Sequence, residues 1–159
     1  MIPKNETMTE TAHNKKILVI EDEYSLRKAI LEKLSLSGFT TVGAADGEEG
    51  LRVALEWKPD LVLLDLLMPK MDGMEVLKKL RLNFGAELPV IILTNVEPND
   101  QTDNDVVQYK PSYYLVKSNL ELENLVNRFL PIFLRVSQNP FPRNLVFICA
   151  FAILTNLPA

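Results

Sequence analysis

The sequence predicts an α/β fold, a three-layer doubly wound sheet of five parallel strands in the order 2-1-3-4-5, and three observations carry that expectation. Runs 17–20 (ILVI), 61–64 (LVLL) and 90–93 (VIIL) are solidly apolar and rich in β-branched residues, as parallel strands covered on both faces must be. Longer amphipathic segments alternate with these runs, which is the mark of strand–helix–strand crossovers. Runs 39–42 (FTTV) and 113–116 (YYLV) are more mixed. They suit strands with one face partly wet, so the second and fifth runs belong at the two edges.

The elements follow in order. Leu26, Ile30 and Leu34 lie at spacing four and give the first helix its buried face, and Gly38 supplies a left-handed stop. Asp46 with Glu49, and Asp72 with Glu75, have the cap-x-x-Glu form that opens the second and third helices. Pro59 and Pro89 close those helices before the next strand. Trp57 is expected to cover the sheet beside Pro59. The fourth helix, 99–108, holds Asp and Asn with Val106 and Val107 as its apolar anchors, and is expected to be short or mobile. The last opens with Ser118 and Glu121, and buries Leu122, Leu125, Val126 and Phe129 until Pro131 interferes.

A chain of 159 residues, 47% apolar and 24% charged, fits one domain with a real core. It excludes a disordered chain, a polytopic membrane protein and an enzyme built of several large domains. Seventeen Lys and Arg against twenty-one Asp and Glu give a net charge of −4, with no dense basic run, so direct nucleic-acid binding is not expected. The lone Cys149 cannot form an internal disulfide, and the polar arm 1–14, which holds the single histidine His13, lacks the apolar core of a signal peptide. A cytoplasmic location is therefore expected. Residues 145–154 (LVFICAFAIL) form an unbroken apolar run. As a helix it would extend only about 15 Å, half of a bilayer core, so no transmembrane span is expected and packing against this domain or a partner is.

In an open parallel sheet, ligands sit beyond the carboxyl ends of the strands, where the strand order reverses, here between strands one and three. Glu21 and Asp22 follow the first strand, Asp65 ends the third, and Thr94 and Lys117 end the fourth and fifth. Crowding three carboxylates is unfavourable, since a unit-charge pair at 4 Å costs about 4 kcal/mol at an effective dielectric of 20. A hard divalent cation offsets this, and Mg²⁺ favours one or two carboxylates, waters and a phosphate oxygen. Lys117 adds a compact positive charge.

With these residues in place, the chain resembles the receiver domain of two-component response regulators, a flavodoxin-like fold. The resemblance runs from residue 15 to about 134 and rests on 17–23 (ILVIEDE), 61–73 (LVLLDLLMPKMDG), 89–94 (PVIILT) and 113–117 (YYLVK), in order and at suitable spacings. It implies that Asp65 is the phosphoacceptor, loaded from a phosphohistidine on a sensor histidine kinase or phosphotransfer protein. It implies that Asp22, Asp65 and the backbone carbonyl of Leu67 ligate Mg²⁺, with Glu21 acting through water. Thr94 and Lys117 would bind the phosphoryl oxygens, and Tyr114 would follow Thr94 as the switch aromatic. Such a domain is a switch that catalyses only its own phosphorylation, not a turnover enzyme.

Three features depart from the family pattern. Ser118 follows Lys117 where proline with a cis bond is usual, and since a non-proline cis bond costs roughly 3 to 4 kcal/mol a trans bond is expected. Asn95 replaces a small residue after Thr94, and 109–112 (YKPS) replaces a Gly-Ala pair. The expected organisation is a disordered arm 1–14, a receiver 15–136 and an apolar tail 137–159 too short for an output domain, so output would go through a downstream protein effector. A homodimer is compatible with this. Two alternatives are a phosphorylation-independent pseudo-receiver that acts as a binding module, and a Mg²⁺-dependent aspartyl phosphatase. The phosphatase would want a second Asp where Leu67 stands.

Overall fold

The computed structural model describes residues 14–95, 109, 111–117, 120–122, 125 and 127. Within them the chain runs β1 (Lys16–Ile20), α1 (Tyr24–Leu36), β2 (Thr40–Ala44), α2 (Gly47–Trp57), β3 (Leu61–Asp65), α3 (Gly73–Phe84), β4 (Val90–Thr94) and β5 (Tyr113–Val116). The five strands form one parallel sheet in the order β2-β1-β3-β4-β5, as the apolar runs required. Successive side chains on a strand point to opposite faces, so each apolar run feeds two cores at once. On one face Ile17, Val19, Leu61 and Leu63 pack with Ile30 and Leu34 of α1. On the other, Leu18, Ile20, Val62 and Leu64 pack with α2 and α3 through Ala54, Val76, Leu77 and Leu80. β3 and β4 are buried along their whole length.

Leu120, Leu122 and Leu125 pack on the α1 face, which accounts for the apolar side expected of the last helix. Its capping box at Ser118, Val126, Phe129, the fourth helix, the arm with His13 and the tail with Cys149 lie outside the described residues. Trp57 packs on the second core, and the Lys16 ammonium sits 5.4 Å from its ring centroid.

Three local expectations are corrected. β2 begins at Thr40, not Phe39, because Phe39 completes the end of α1: its N–H donates to Leu34 O at 3.1 Å and Gly38 N–H to Ser35 O at 3.0 Å, with Gly38 at φ 92°. That is a Schellman closure, and it commits Phe39 to the core instead of the sheet. The two helix starts are only half boxes. Asp46 and Asp72 accept from the N–H of Glu49 and Glu75 at 2.9 and 2.8 Å. Glu49 reaches Ala45 N–H, and Glu75 pairs with Lys79 at 2.9 Å. Finally, the helices end before the prolines act: α2 closes on Lys58 at φ 52° and α3 on Gly85 at φ 70°, whose N–H donates to Arg81 O.

Candidate functional site

The strand order reverses between β1 and β3, and the chain places acidic residues at both ends that open there. Glu21 follows β1 and is tied to β2 through its N–H to Ala44 O at 3.1 Å; its side chain is fully buried. Asp22 follows it and is exposed. Asp65 ends β3 and is 1% exposed. One carboxylate oxygen from each of the three lies within 4.8 Å of the others. Thr94 ends β4 and is buried, registered opposite Val116 of β5.

Lys117, the residue after β5, sends its ammonium across the strand ends to Glu21 Oε1 at 2.8 Å and Asp65 Oδ2 at 2.7 Å. Burial alone would lower its pKa, but the hydrogen bonds to Asp65 and Glu21 and their charges outweigh it and hold the pKa above the usual lysine value. Burial pushes the Glu21 carboxyl above its usual value, against the opposing bond from Lys117. One ammonium thus stands between two buried carboxylates with the exposed Asp22 beside them, and the site carries excess negative charge.

The residues fit a metal. Glu21 Oε2 is buried and, though 2.8 Å from the Lys117 ammonium, accepts no hydrogen bond. The ammonium meets the charge of that oxygen, but it is shared with Asp65 and leaves three carboxylates to one cation, an all-oxygen donor set whose remaining charge a hard divalent cation offsets. The Leu67 backbone lies beside the cluster, since its N–H donates to Asp65 Oδ1 at 3.1 Å. The expected switch side chain of Tyr114 and the bond between Lys117 and Ser118 lie outside what is described, whereas Asn95 is exposed at the end of β4.

Two supports escaped the sequence reading. Gly73 lets the start of α3 press against the end of β3: a Cβ there would meet Asp65 O at 2.2 Å and Leu66 Cα at 2.6 Å, and the Gly73 N–H donates to Leu66 O. The loop between them is pinned from outside by Lys70, whose ammonium meets Asp46 Oδ2 at 2.8 Å. The glycine was visible in the motif; its closeness to Asp65 was not. No helix among the described residues is long and apolar enough to cross a membrane.

The comparisons with known proteins agree with this geometry. The chain is 46% identical over 81 residues to the alkaline phosphatase synthesis transcriptional regulatory protein PhoP of Bacillus subtilis, covering 51% of this chain and 33% of that one. It is 39% identical over 79 residues to the response regulator MprA of Mycolicibacterium vanbaalenii, covering 50% and 34%. The match thus spans about a third of the length of these relatives. Among solved structures, the chemotaxis protein CheY4 of Vibrio cholerae superposes with a TM-score of 0.69 at 27% identity, covering 75% of this chain and 98% of that one. A two-component response regulator of Clostridium difficile does so with 0.69 at 25%, covering 79% and 100%. The family model of the response regulator receiver domain matches residues 17–129, the stretch that carries the five strands, but for Lys16, and every charged group of the mouth. The chain therefore belongs to the response regulator receiver domain family, the signalling switches of two-component systems.

Proposed function

We propose that this chain is a phosphoacceptor switch in which Asp65 takes a phosphoryl group, in a Mg²⁺-dependent reaction, from a phosphohistidine of a sensor kinase or phosphotransfer protein. The observation that carries the reading is the Lys117 ammonium bound at once to Glu21 and Asp65 inside an acidic cluster at the switch point of the sheet. In the step, an Asp65 carboxylate oxygen forms a bond to phosphorus as the bond from phosphorus to the donor's imidazole nitrogen breaks, which leaves the histidine neutral once it holds a proton. The transition state is loose, with charge spread over the phosphoryl oxygens, so the protein's work is positioning and neutralisation.

Asp22, Asp65 and the Leu67 carbonyl would hold Mg²⁺, with Glu21 acting through water. When bound, the ion neutralises charge on the phosphoryl oxygens. Lys117 holds Asp65 in place before transfer and turns to a phosphoryl oxygen after it. Thr94 donates its hydroxyl to another oxygen, and that inward draw is the start of the signal, which Tyr114 follows. The same reading takes the switch to work in the cytoplasm and to pass its state to a protein effector. The phosphatase alternative loses support because Leu67, whose side chain is exposed, stands where a second acid would be needed.

The test is mass spectrometry after incubation with acetyl phosphate and MgCl₂. An acid-stable, base-labile adduct of one phosphate, absent in Asp65→Asn, is expected. No adduct under any condition would overturn the proposal in favour of a phosphorylation-independent binding module. Sustained release of phosphate from many monoesters would favour the phosphatase.

A further inference from the structure

Arg27 lies in the N-terminal part of α1, one turn beyond the acidic loop. A cation there opposes the helix dipole, at a cost of roughly 0.3 to 1 kcal/mol, and it stands close to a cluster that calls for a metal. Its contacts give the reason for it. From Nη1 it donates to the carbonyl oxygens of both Glu21 and Asp22, the latter at 3.2 Å. Its stem crosses β2 so closely that a Cβ on Gly43 would lie 3.1 Å from Arg27 Cδ. The Tyr24 ring covers the guanidinium, with its centroid 5.6 Å away. The Glu23 N-cap makes no side-chain capping bond, and the Arg27 N–H donates to Glu23 O at 2.9 Å, so the same residue also closes the first turn.

We infer that Arg27 is a positioning residue for the acidic site: it grips the backbone of two consecutive residues so that both carboxylates stay aimed at the point shared with Asp65. The inference rests on the metal-dependent reading above. Consecutive residues of an unrestrained loop do not hold their side chains on one target, and groups that orient ligands commonly change metal affinity about 10-fold or more when removed.

Charge and positioning predict opposite signs, which makes the idea decidable. If Arg27 acted only as a nearby positive charge, its removal would tighten Mg²⁺ binding. As a positioning residue, its removal weakens binding. Calorimetric titration of the full chain with MgCl₂ should show the dissociation constant rising about tenfold in Arg27→Met. It should also rise in Arg27→Lys, which keeps the charge but not the longer, planar guanidinium that sets Nη1 between the two carbonyls, and which serves if the first variant fails to fold. Binding equal to or tighter than wild type overturns the inference.

A second readout needs no metal. The Glu23 N–H donates to Glu21 Oε1 at 3.3 Å and so reports the set of the loop. Its hydrogen exchange should quicken severalfold in either variant, while that of Val62, bonded to Pro89 O, stays unchanged. Unchanged exchange at Glu23 overturns the inference. A wild-type chain that binds no Mg²⁺ overturns the proposed function, and the exchange result then decides the role of Arg27 by itself.

Discussion

The two ends of the sheet each carry a lysine in contact with an aspartate, and the comparison shows how burial changes what such a contact does. At the amino end, Lys15 Nζ lies 3.3 Å from Asp60 Oδ1, with the two side chains 39% and 37% exposed. The other Asp60 oxygen accepts from Lys16 N–H at 2.8 Å. Charges balance there, water screens them, and the contact staples the start of β1 to the turn before β3. At the carboxyl end, Lys117 is 10% exposed while the side chains of Glu21 and Asp65 are 0% and 2% exposed. There the negative charge is in excess and little water reaches it, so the same residue types form a site that gains by binding a cation. Exposed pairs are worth about 0 to 1 kcal/mol, whereas removing one partner of a buried pair costs about 3 to 5.

The sharpest way to break this comparison is Lys117→Met. It leaves Glu21 and Asp65 buried without their cation, and urea unfolding in Mg²⁺-free buffer should show a loss of about 3 kcal/mol. The loss should shrink as the pH falls and the Glu21 carboxyl, already held above its usual value by burial, protonates; unchanged stability would mean that the two ends do not differ. Next in size is the metal. Mg²⁺ at 10 to 100 times its dissociation constant should stabilise the wild type by about 1.4 to 2.7 kcal/mol. Asp60→Ala should lower the baseline by about 1 kcal/mol yet keep the same Mg²⁺ increment, because the amino end has no part in the site. Thermal unfolding that ignores millimolar Mg²⁺, or an increment lost in Asp60→Ala, would refute the division.

The smallest effect belongs to Asp46, at the rim of the carboxyl end but outside its buried part. Its carboxyl is held below the usual value of 3.8, first by the Glu49 N–H and then by Lys70. A lowered folded pKa stabilises above pH 3.8 and is lost as the pH falls through the lowered value. Asp46→Asn keeps a good N-cap without the charge, so its neutral melting temperature should stay close to wild type while this acid limb of the profile disappears. A large loss at neutral pH would show that location at the mouth, and not burial, sets the cost.

Much of this was readable in residue order. β1, β3 and β4 announce themselves because strands covered on both faces are apolar along their middle, and only their end residues Lys16, Asp65 and Thr94 break the runs. β2 was displaced because Phe39 is as apolar as a strand residue, while the Schellman closure that claims it depends on backbone geometry after Gly38. Gly85 carried the usual sign of a helix end, a glycine just past the periodic segment, and Pro89 drew attention from it. Glu75 pairs with Lys79 one turn on instead of reaching back to its own cap, an i,i+4 contact that the same residue order offered beside the box.

The sequence by itself determined which chemistry stands at each strand end: Glu21, Asp22, Asp65, Thr94 and Lys117 follow from where the apolar runs stop. Only the tertiary structure decided that Lys117 meets residues 96 and 52 positions away, that Glu21 and not Asp22 is the buried member of the pair, and that Arg27 and Gly73 hold the acidic loops. The reason is physical. Periods of 2 and 3.6 are local and survive in residue order, but convergence and burial depend on sheet order and on how closely α1 and α3 dock, which no single segment encodes.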